Sequence, residues 1–326
     1  MSIPLHLSAC HGEEMSVSDW EWGIYKLITI VKRRLDRIRL FRSYSTYSEK
    51  MQFMAARGRL ENLASAGEVM RKLGKYCTTY SMPLGSGLEA TSVSIKLFPA
   101  NGDPGIAVEF TPYKLDDSGW FSFRGLLKQV LGAGAKHVAG QFALAKVEVA
   151  MDVKAPFDDL LCIAPGMETE NLSYLKKGTR YLGQKWGKRT FCIYDKRKQL
   201  AEKVAVDLGH TLTRIEVRLR HLGKTMAEMT GIAKPFGELL VVRRAALQRL
   251  CETCPNEGIL QEFAKWVEGG EGAQAFYLQL SKHYRKRLRA LILPHSIRLN
   301  SVEEVWGEWI AGQSKLLVEN FGKELG

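Results

Sequence analysis

Cysteine, long apolar runs and acidic residues are all in short supply in this 326-residue chain. Its six cysteines are scattered, which excludes a disulfide-rich secreted protein and predicts a reducing, cytoplasmic location. Cys251 and Cys254 form an isolated Cys-x-x-Cys pair, and a zinc site would need two further ligands at matching spacing. The longest apolar stretch, residues 24–31, is interrupted by Lys26 and is far shorter than the ~18 residues of a membrane span. We therefore expect no membrane partner.

The shortage of acidic residues leaves a strongly basic chain. Lysine and arginine number 47 against 35 aspartate and glutamate, which gives a net charge of +12 and a pI of about 9.4. An excess of this size favours a polyanionic partner, with nucleic acid as the first candidate. Hydrophobic residues at 45% and charged residues at 25% are ordinary values for a globular protein, so the composition excludes a disordered chain.

The spacing of apolar residues changes twice along the chain. Between Trp20 and Phe41 they recur at three- and four-residue steps, so residues 1–85 are interpreted as a helical N-terminal segment. Residues 86–223 alternate with period two between turns, and residues 224–326 return to helical spacing. The expected fold class is α+β: a central antiparallel sheet with packed helices, flanked by helical N- and C-terminal segments.

Three predicted strands of the central domain carry acidic or phenolic groups on their polar faces. The first presents Glu148 and Asp152, the second Tyr194, and the third Glu216 among three arginines. Basic residues around them are the candidates for nucleic-acid binding: Lys185, Lys188, Arg189, Lys196, Arg197, Arg214 and Arg218. A solvated sheet face with cross-strand ion pairs explains the same residues without any catalytic function.

This combination of groups suits phosphodiester transesterification. A phenol has an ordinary pKa near 10 and needs activation before it can attack phosphorus. A metal ion would neutralise the charge that develops on the non-bridging oxygens, and a basic rim would hold the DNA strand in line.

In their order along the chain, these stretches resemble the replication initiation factor family, the rolling-circle initiators and relaxases of plasmids, filamentous phages and mobile elements. The matching segments are residues 146–152 (Lys-Val-Glu-Val-Ala-Met-Asp), residues 179–183 (Thr-Arg-Tyr-Leu-Gly) with 192–196 (Cys-Ile-Tyr-Asp-Lys), and residues 213–216 (Thr-Arg-Ile-Glu). The resemblance covers about residues 91–220 and makes 86–223 the nicking and DNA-binding domain.

The resemblance implies a DNA strand transferase that nicks and rejoins one strand at a replication origin through a 5′-phosphotyrosine. Tyr194 would be the nucleophile, and Asp152, Glu216 and Glu148 would ligate Mg²⁺ or Mn²⁺. The implied partners are origin DNA, single-stranded or extruded as a hairpin, with a host helicase, a polymerase and a second copy of the chain as further expectations. Arg218 stands where some members carry a second acid, and the chain has no His-hydrophobic-His pair.

Two other functions stay open at this point. A non-catalytic relative would occupy an origin or promoter without cleaving it, and Arg218 favours that hypothesis. An RNA-binding protein would use the sheet as a stacking platform, but the polar faces of the central strands carry mostly charge. We expect Tyr181, which matches the family hairpin, to pack. The basic segment 283–289 is compatible with a DNA contact or with a dimer-facing helix.

Overall fold

The structure is a computed structural model. It describes residues 30–84, 91–98, 103–132, 140–167, 173–176, 178–184, 186–204, 209–232, 235–237, 239–270 and 272–297, together with 312 and 315.

The described chain forms twelve strands and seven α-helices. The strands are β1 (Ile30–Ser43), β2 (Met70–Leu73), β3 (Thr78–Leu84), β4 (Thr91–Phe98), β5 (Gly105–Phe110), β6 (Ala143–Val153), β7 (Leu160–Ile163), β8 (Ser173–Lys176), β9 (Thr179–Leu182), β10 (Arg189–Asp195), β11 (Thr213–Lys224) and β12 (Leu240–Arg243). The helices are α1 (Tyr47–Ser65), α2 (Asp117–Leu131), α3 (Lys196–Val204), α4 (Arg244–Thr253), α5 (Gly258–Glu268), α6 (Ala273–Gln279) and α7 (Lys282–Ile292). Ten strands form one antiparallel sheet around which helices pack, so the α+β fold class is confirmed.

The large sheet consists of two halves with the same connectivity. Its order is β2-β3-β4-β5-β1-β6-β11-β10-β9-β8. One half contains β1 to β5, and the other contains β6 and β8 to β11. The first strand of each half, β1 or β6, lies at the centre of the sheet. Next to it lies the last strand of that half, β5 or β11, and the remaining strands follow in reverse order out to the edge. The central strands β1 and β6 pair antiparallel. This topology makes β6, β11 and β10 neighbours, so the three strands that carry the candidate residues lie side by side.

The helical interpretation of the N-terminal segment is wrong for β1, β2 and β3. In β1 the register against β6 shifts between Leu35 and Arg37, and Asp36 is the extra residue. This bulge places Leu35 and Ile38, three residues apart, in the same buried layer, which imitates the spacing of a helix. Within the described part of residues 1–85, the helical prediction holds for α1, which begins with a capping box between Thr46 and Glu49.

One face of the sheet is apolar and the other is polar. The apolar face packs against α1 and α2, through buried side chains such as Phe53 and Phe123.

A second core is formed by the four helices α4, α5, α6 and α7 together with the small sheet of β7 and β12. Alternate residues of β7 enter the two cores, since Cys162 packs into the first core and Leu161 into the second. No helix in the described part of the chain combines the length and the apolar content that crossing a membrane requires.

The C-terminal segment is largely helical where it is described. The basic stretch 283–289 lies in α7, which buries Leu288 and Ile292. Arg287 makes two hydrogen bonds of 3.0 Å with the Glu257 carboxylate, so part of the α7 charge holds α7 to the start of α5. The part of the predicted helical segment beyond residue 297 lies outside the described residues, apart from 312 and 315, which are helical.

Candidate nucleic-acid site on the polar sheet face

The register of β10, β11 and β6 brings the candidate side chains onto one face. Tyr194 pairs with Arg214, and Arg214 pairs on its other side with Asp152. Glu216 and Arg218 follow at two-residue steps along β11 and therefore project to the same side. These side chains, except Asp152, line an open groove of about 760 Å³, to which β1, β9 and α3 also contribute. We call it the polar groove.

Asp152 is fully paired with arginine. Arg214 donates from Nε to Oδ1 at 2.6 Å and from Nη2 to Oδ2 at 2.9 Å. Arg34, on β1, adds a hydrogen bond of 2.7 Å to Oδ2. The Asp152 and Arg214 side chains are only 3% and 2% exposed, and Arg214 Nη1 lies 3.4 Å from Asp36 Oδ1. Asp152 therefore serves as the counter-ion of two arginines in a buried network that joins three strands.

Glu148 and Glu216 share one arginine. Arg218 Nε donates to Glu216 Oε1 at 2.6 Å and lies 3.3 Å from Glu148 Oε1. Lys146 also pairs with Glu148, and Arg37 Nε lies 3.8 Å from the other oxygen of Glu148. Burial raises the pKa of Glu216, and the neighbouring Glu148 carboxylate raises it further. The two acids are thus close together, with cations between and around them.

The described acids do not fit the Mg²⁺ or Mn²⁺ that the family resemblance implies. Such ions need several free oxygen ligands, whereas both oxygens of Asp152 accept hydrogen bonds from guanidinium groups. Arg218 bridges Glu148 and Glu216, where a shared ion would bind. Among the described residues, no group of three or more His, Cys, Asp or Glu side chains is placed to hold a metal ion. The metal cofactor stays a prediction from the resemblance.

Tyr194 is a buried phenol at the wall of the polar groove. Its side chain lines the groove although the residue is only 9% exposed. No described group makes a hydrogen bond with its hydroxyl. Burial raises the pKa of Tyr194 well above the ordinary value of a phenol; Arg214 opposes this shift, and Glu216 and Asp36 reinforce it. The hydroxyl is therefore protonated at neutral pH, and it needs a base before it can act as a nucleophile.

Lys196 lines the same groove two residues after Tyr194. Its Nζ donates to Gln199 Oε1 at 2.7 Å, within the first turn of α3. Burial, and after it the neighbouring charge of Arg214, lower the pKa of Lys196 to about 8. A substantial fraction of this amine is therefore neutral in mildly alkaline solution, and a neutral amine can accept a proton.

The predicted nucleic-acid-binding residues divide between the polar groove and a second cleft. Lys196, Arg214 and Arg218 line the polar groove, whereas Lys188 and Arg189 line the second cleft, of about 610 Å³, at the start of β10. Arg197 is half-buried at the start of α3, and Lys185 lies outside the described residues. The cations thus form two separate sites.

Sequence reasoning missed several groups around the polar groove. Arg34, Asp36 and Arg37 come from β1, where the sequence spacing predicts a helix and therefore gives no place in the sheet. Tyr181, expected to pack, lines the groove as a second phenol and makes a hydrogen bond with the Cys192 thiol. The alternation of Arg37 and Arg39 with the apolar Ile38 and Leu40 is a sequence signal for a strand at this position.

Comparisons with known proteins assign no family to this chain. No protein-family model matches it, and no curated protein matches it. The resemblance to the replication initiation factor family therefore rests on the motifs given above and enters the functional argument only as a proposal.

Replacing Arg218 tests why the acids exclude a metal ion. In Arg218→Gln the carboxylates of Glu148 and Glu216 lose their shared cation, so Mn²⁺ should bind at least about tenfold more tightly than to the wild type. Titration calorimetry with MnCl₂ measures the affinity, after circular dichroism has shown that the variant is folded. Arg220→Gln is the matched control, because Arg220 donates to Gly187 and Thr190 instead.

The opposite pattern would contradict this account of the acids. Tight Mn²⁺ binding by the wild type, lost in Asp152→Asn, would mean that the ion pairs open to ligate a metal as the resemblance implies.

Proposed function

We propose that this protein is a DNA strand transferase of the rolling-circle type, which nicks one strand and retains its 5′ end on Tyr194. The observation that carries the proposal is the placement of the Tyr194 hydroxyl. It has no hydrogen-bond partner among the described residues, and its side chain lines the polar groove directly beside Arg214, in a lining that holds five cations and four carboxylates. A nucleophile needs a hydroxyl that is not already engaged and a space for its target, and the position of Tyr194 on the groove wall supports this role.

The cations of the polar groove support phosphate binding. The Arg218 and Arg37 side chains are 28% and 46% exposed, so each keeps donors that face solvent while carboxylates fix its orientation. A guanidinium group held in this way presents a planar set of N–H donors, which suits the non-bridging oxygens of a phosphodiester. The acids would then orient the arginines, and the arginines would stabilise the charge that develops on the phosphate.

We assign the proton transfer that the reaction requires to Lys196, because it lines the same groove as Tyr194 and has a lowered pKa. In its neutral form it accepts the phenol proton, and the Tyr194 oxygen forms a bond to phosphorus as the bond from phosphorus to the 3′ oxygen breaks. The ammonium group of Lys196 then returns the proton to the departing 3′ oxygen. The products are a free 3′ hydroxyl and a 5′-phosphotyrosine, and the reverse reaction rejoins the strand.

A non-catalytic DNA-binding protein is the second candidate. The complete pairing of Asp152 and the burial of the Tyr194 ring favour it, because both features also describe a structural sheet face. In that case the groove would hold phosphates without any covalent step, and its affinity for DNA would still fall steeply with salt.

Covalent capture of DNA separates these candidates. A random-sequence library of single-stranded oligonucleotides, labelled at the 3′ end, samples short sites without knowledge of the origin. The 5′-phosphotyrosine keeps the 3′ part of the cleaved strand, so labelled protein should appear on a denaturing gel. Tyr194→Phe should reduce the signal to background, whereas the matched variant Tyr181→Phe should retain it.

The experiment is run both with MnCl₂ and with EDTA, so that its outcome does not depend on the metal question. DNA binding by the wild type with no labelled protein in either buffer would refute strand transfer and leave the non-catalytic function. Equal labelling of the wild type and Tyr194→Phe would refute the assignment of the nucleophile.

The pH dependence of labelling tests the role of Lys196. A base acts only when it is neutral, so the initial rate should rise about tenfold per pH unit below pH 8 and level off above the pKa of Lys196, which is about 8. Lys196→Arg keeps the charge but cannot lose its proton, so the rate should fall and its rise below pH 8 should disappear. Lys198→Arg, on the exposed side of α3, is the control. An unchanged rate profile in Lys196→Arg would show that another group accepts the proton.

A further inference from the structure

The hairpin between β9 and β10 presents one tryptophan to solvent. Trp186 is 73% exposed in the connection between these strands. A tryptophan side chain normally buries a large apolar area, so an indole left exposed on a hairpin is a candidate contact for a partner.

The connection that carries Trp186 is held in place from two sides. Gly187 N donates to Gln184 O at 3.0 Å, and Thr190 Oγ1 donates to the same carbonyl at 2.7 Å. From β11, Arg220 Nη1 donates to Thr190 Oγ1 at 3.0 Å and lies 3.3 Å from Gly187 O. These hydrogen bonds hold the described residues on either side of Trp186, which reduces the entropy lost on binding.

Glycine at position 183 secures the base of this hairpin. Its φ is +91°, in the region that favours glycine, and a Cβ there would lie 2.5 Å from Met167 Sδ. The hairpin thus packs closely against the segment that follows β7. That segment forms one wall of the second cleft, so the hairpin and the cleft form one surface.

The charge around Trp186 favours an anionic partner. The Arg220 guanidinium carbon lies 5.8 Å from the centroid of the indole ring. Lys188, Arg189 and Arg220 line the adjoining cleft of about 610 Å³, together with apolar side chains such as Phe191. None of the described residues that line this cleft is acidic. An aromatic platform beside cations suits a ligand that is both planar and anionic, as nucleotides are.

We propose that Trp186 and this cleft bind single-stranded DNA, with a base stacked on the indole and the flanking phosphates on Lys188, Arg189 and Arg220. The choice of DNA as the polyanion rests on the proposed function. Thr190, beside the hairpin turn, and Tyr194 are four residues apart on β10, about 13 Å at ~3.3 Å per residue. A strand anchored at Trp186 would therefore be held in a fixed register relative to the nucleophile.

Stacking distinguishes a single strand from a duplex. Duplex bases are already stacked on one another, so their faces are closed to the indole, whereas an unpaired base offers a free face. Loss of the indole should therefore weaken single-strand binding and leave the affinity for a duplex unchanged.

Fluorescence anisotropy with labelled dT20 and with a 20-base-pair duplex measures this difference. All variants carry Tyr194→Phe, so that binding is measured without covalent capture. Trp186→Ala should weaken dT20 binding by about 5- to 150-fold, and Trp186→Phe should restore most of the affinity. Phe121→Ala is the matched control, because Phe121 is also 73% exposed but lies on α2.

Two results would overturn the inference. In one, the dissociation constants of Trp186→Ala and Phe121→Ala for dT20 differ by less than about twofold, whereas the loss of stacking on one base predicts a difference of at least about fivefold. In the other, dT20 and the duplex lose affinity by the same factor. Because binding is read without the nucleophile, either result leaves the strand-transfer proposal standing. Absence of labelled protein in the covalent assay would refute strand transfer alone.

Discussion

The buried pair of Arg214 and Asp152 is the interaction on which the polar face of the sheet depends. It joins β11 to β6, and Arg34 and Asp36 extend it to β1, so three central strands share one charged network. Removing one partner of such a pair leaves a buried charge without compensation, at a cost of about 3–5 kcal/mol. The network therefore fixes the positions of the strands, and it places a permanent positive charge beside Tyr194.

The same network bears on the proposed phosphate chemistry and on the poor fit to a metal. Both oxygens of Asp152 accept hydrogen bonds from guanidinium groups, which leaves that carboxylate poorly placed to ligate a divalent ion. Arg218, which Glu216 holds in place, is 28% exposed and suits an anion. Electrostatic stabilisation by oriented donors can replace much of what a metal contributes to phosphoryl transfer. In this account Asp152 and Glu216 act through the groups they position, Arg214 and Arg218.

Sequence alone predicted the strands with strict alternation and the face on which their polar residues lie. The sequence predicts β6, β10 and β11 because each keeps period two through the candidate residues. It does not predict β1, because the extra residue Asp36 gives the buried side chains of β1 the spacing of a helix. Alternation assigns a residue to a face but not to a partner, so it did not reveal that Asp152 pairs with Arg214. Trp186 lies in a turn, where no periodicity distinguishes it.

Mapping the tyrosine that becomes attached to DNA tests the central claim most directly. Labelled protein is digested with nuclease and trypsin, and mass spectrometry locates the remaining nucleotide. Cleavage after lysine and arginine puts the two phenols of the groove on different peptides, residues 190–196 for Tyr194 and residues 181–185 for Tyr181. The account predicts the nucleotide on peptide 190–196. A nucleotide on peptide 181–185, or on neither peptide, would contradict it.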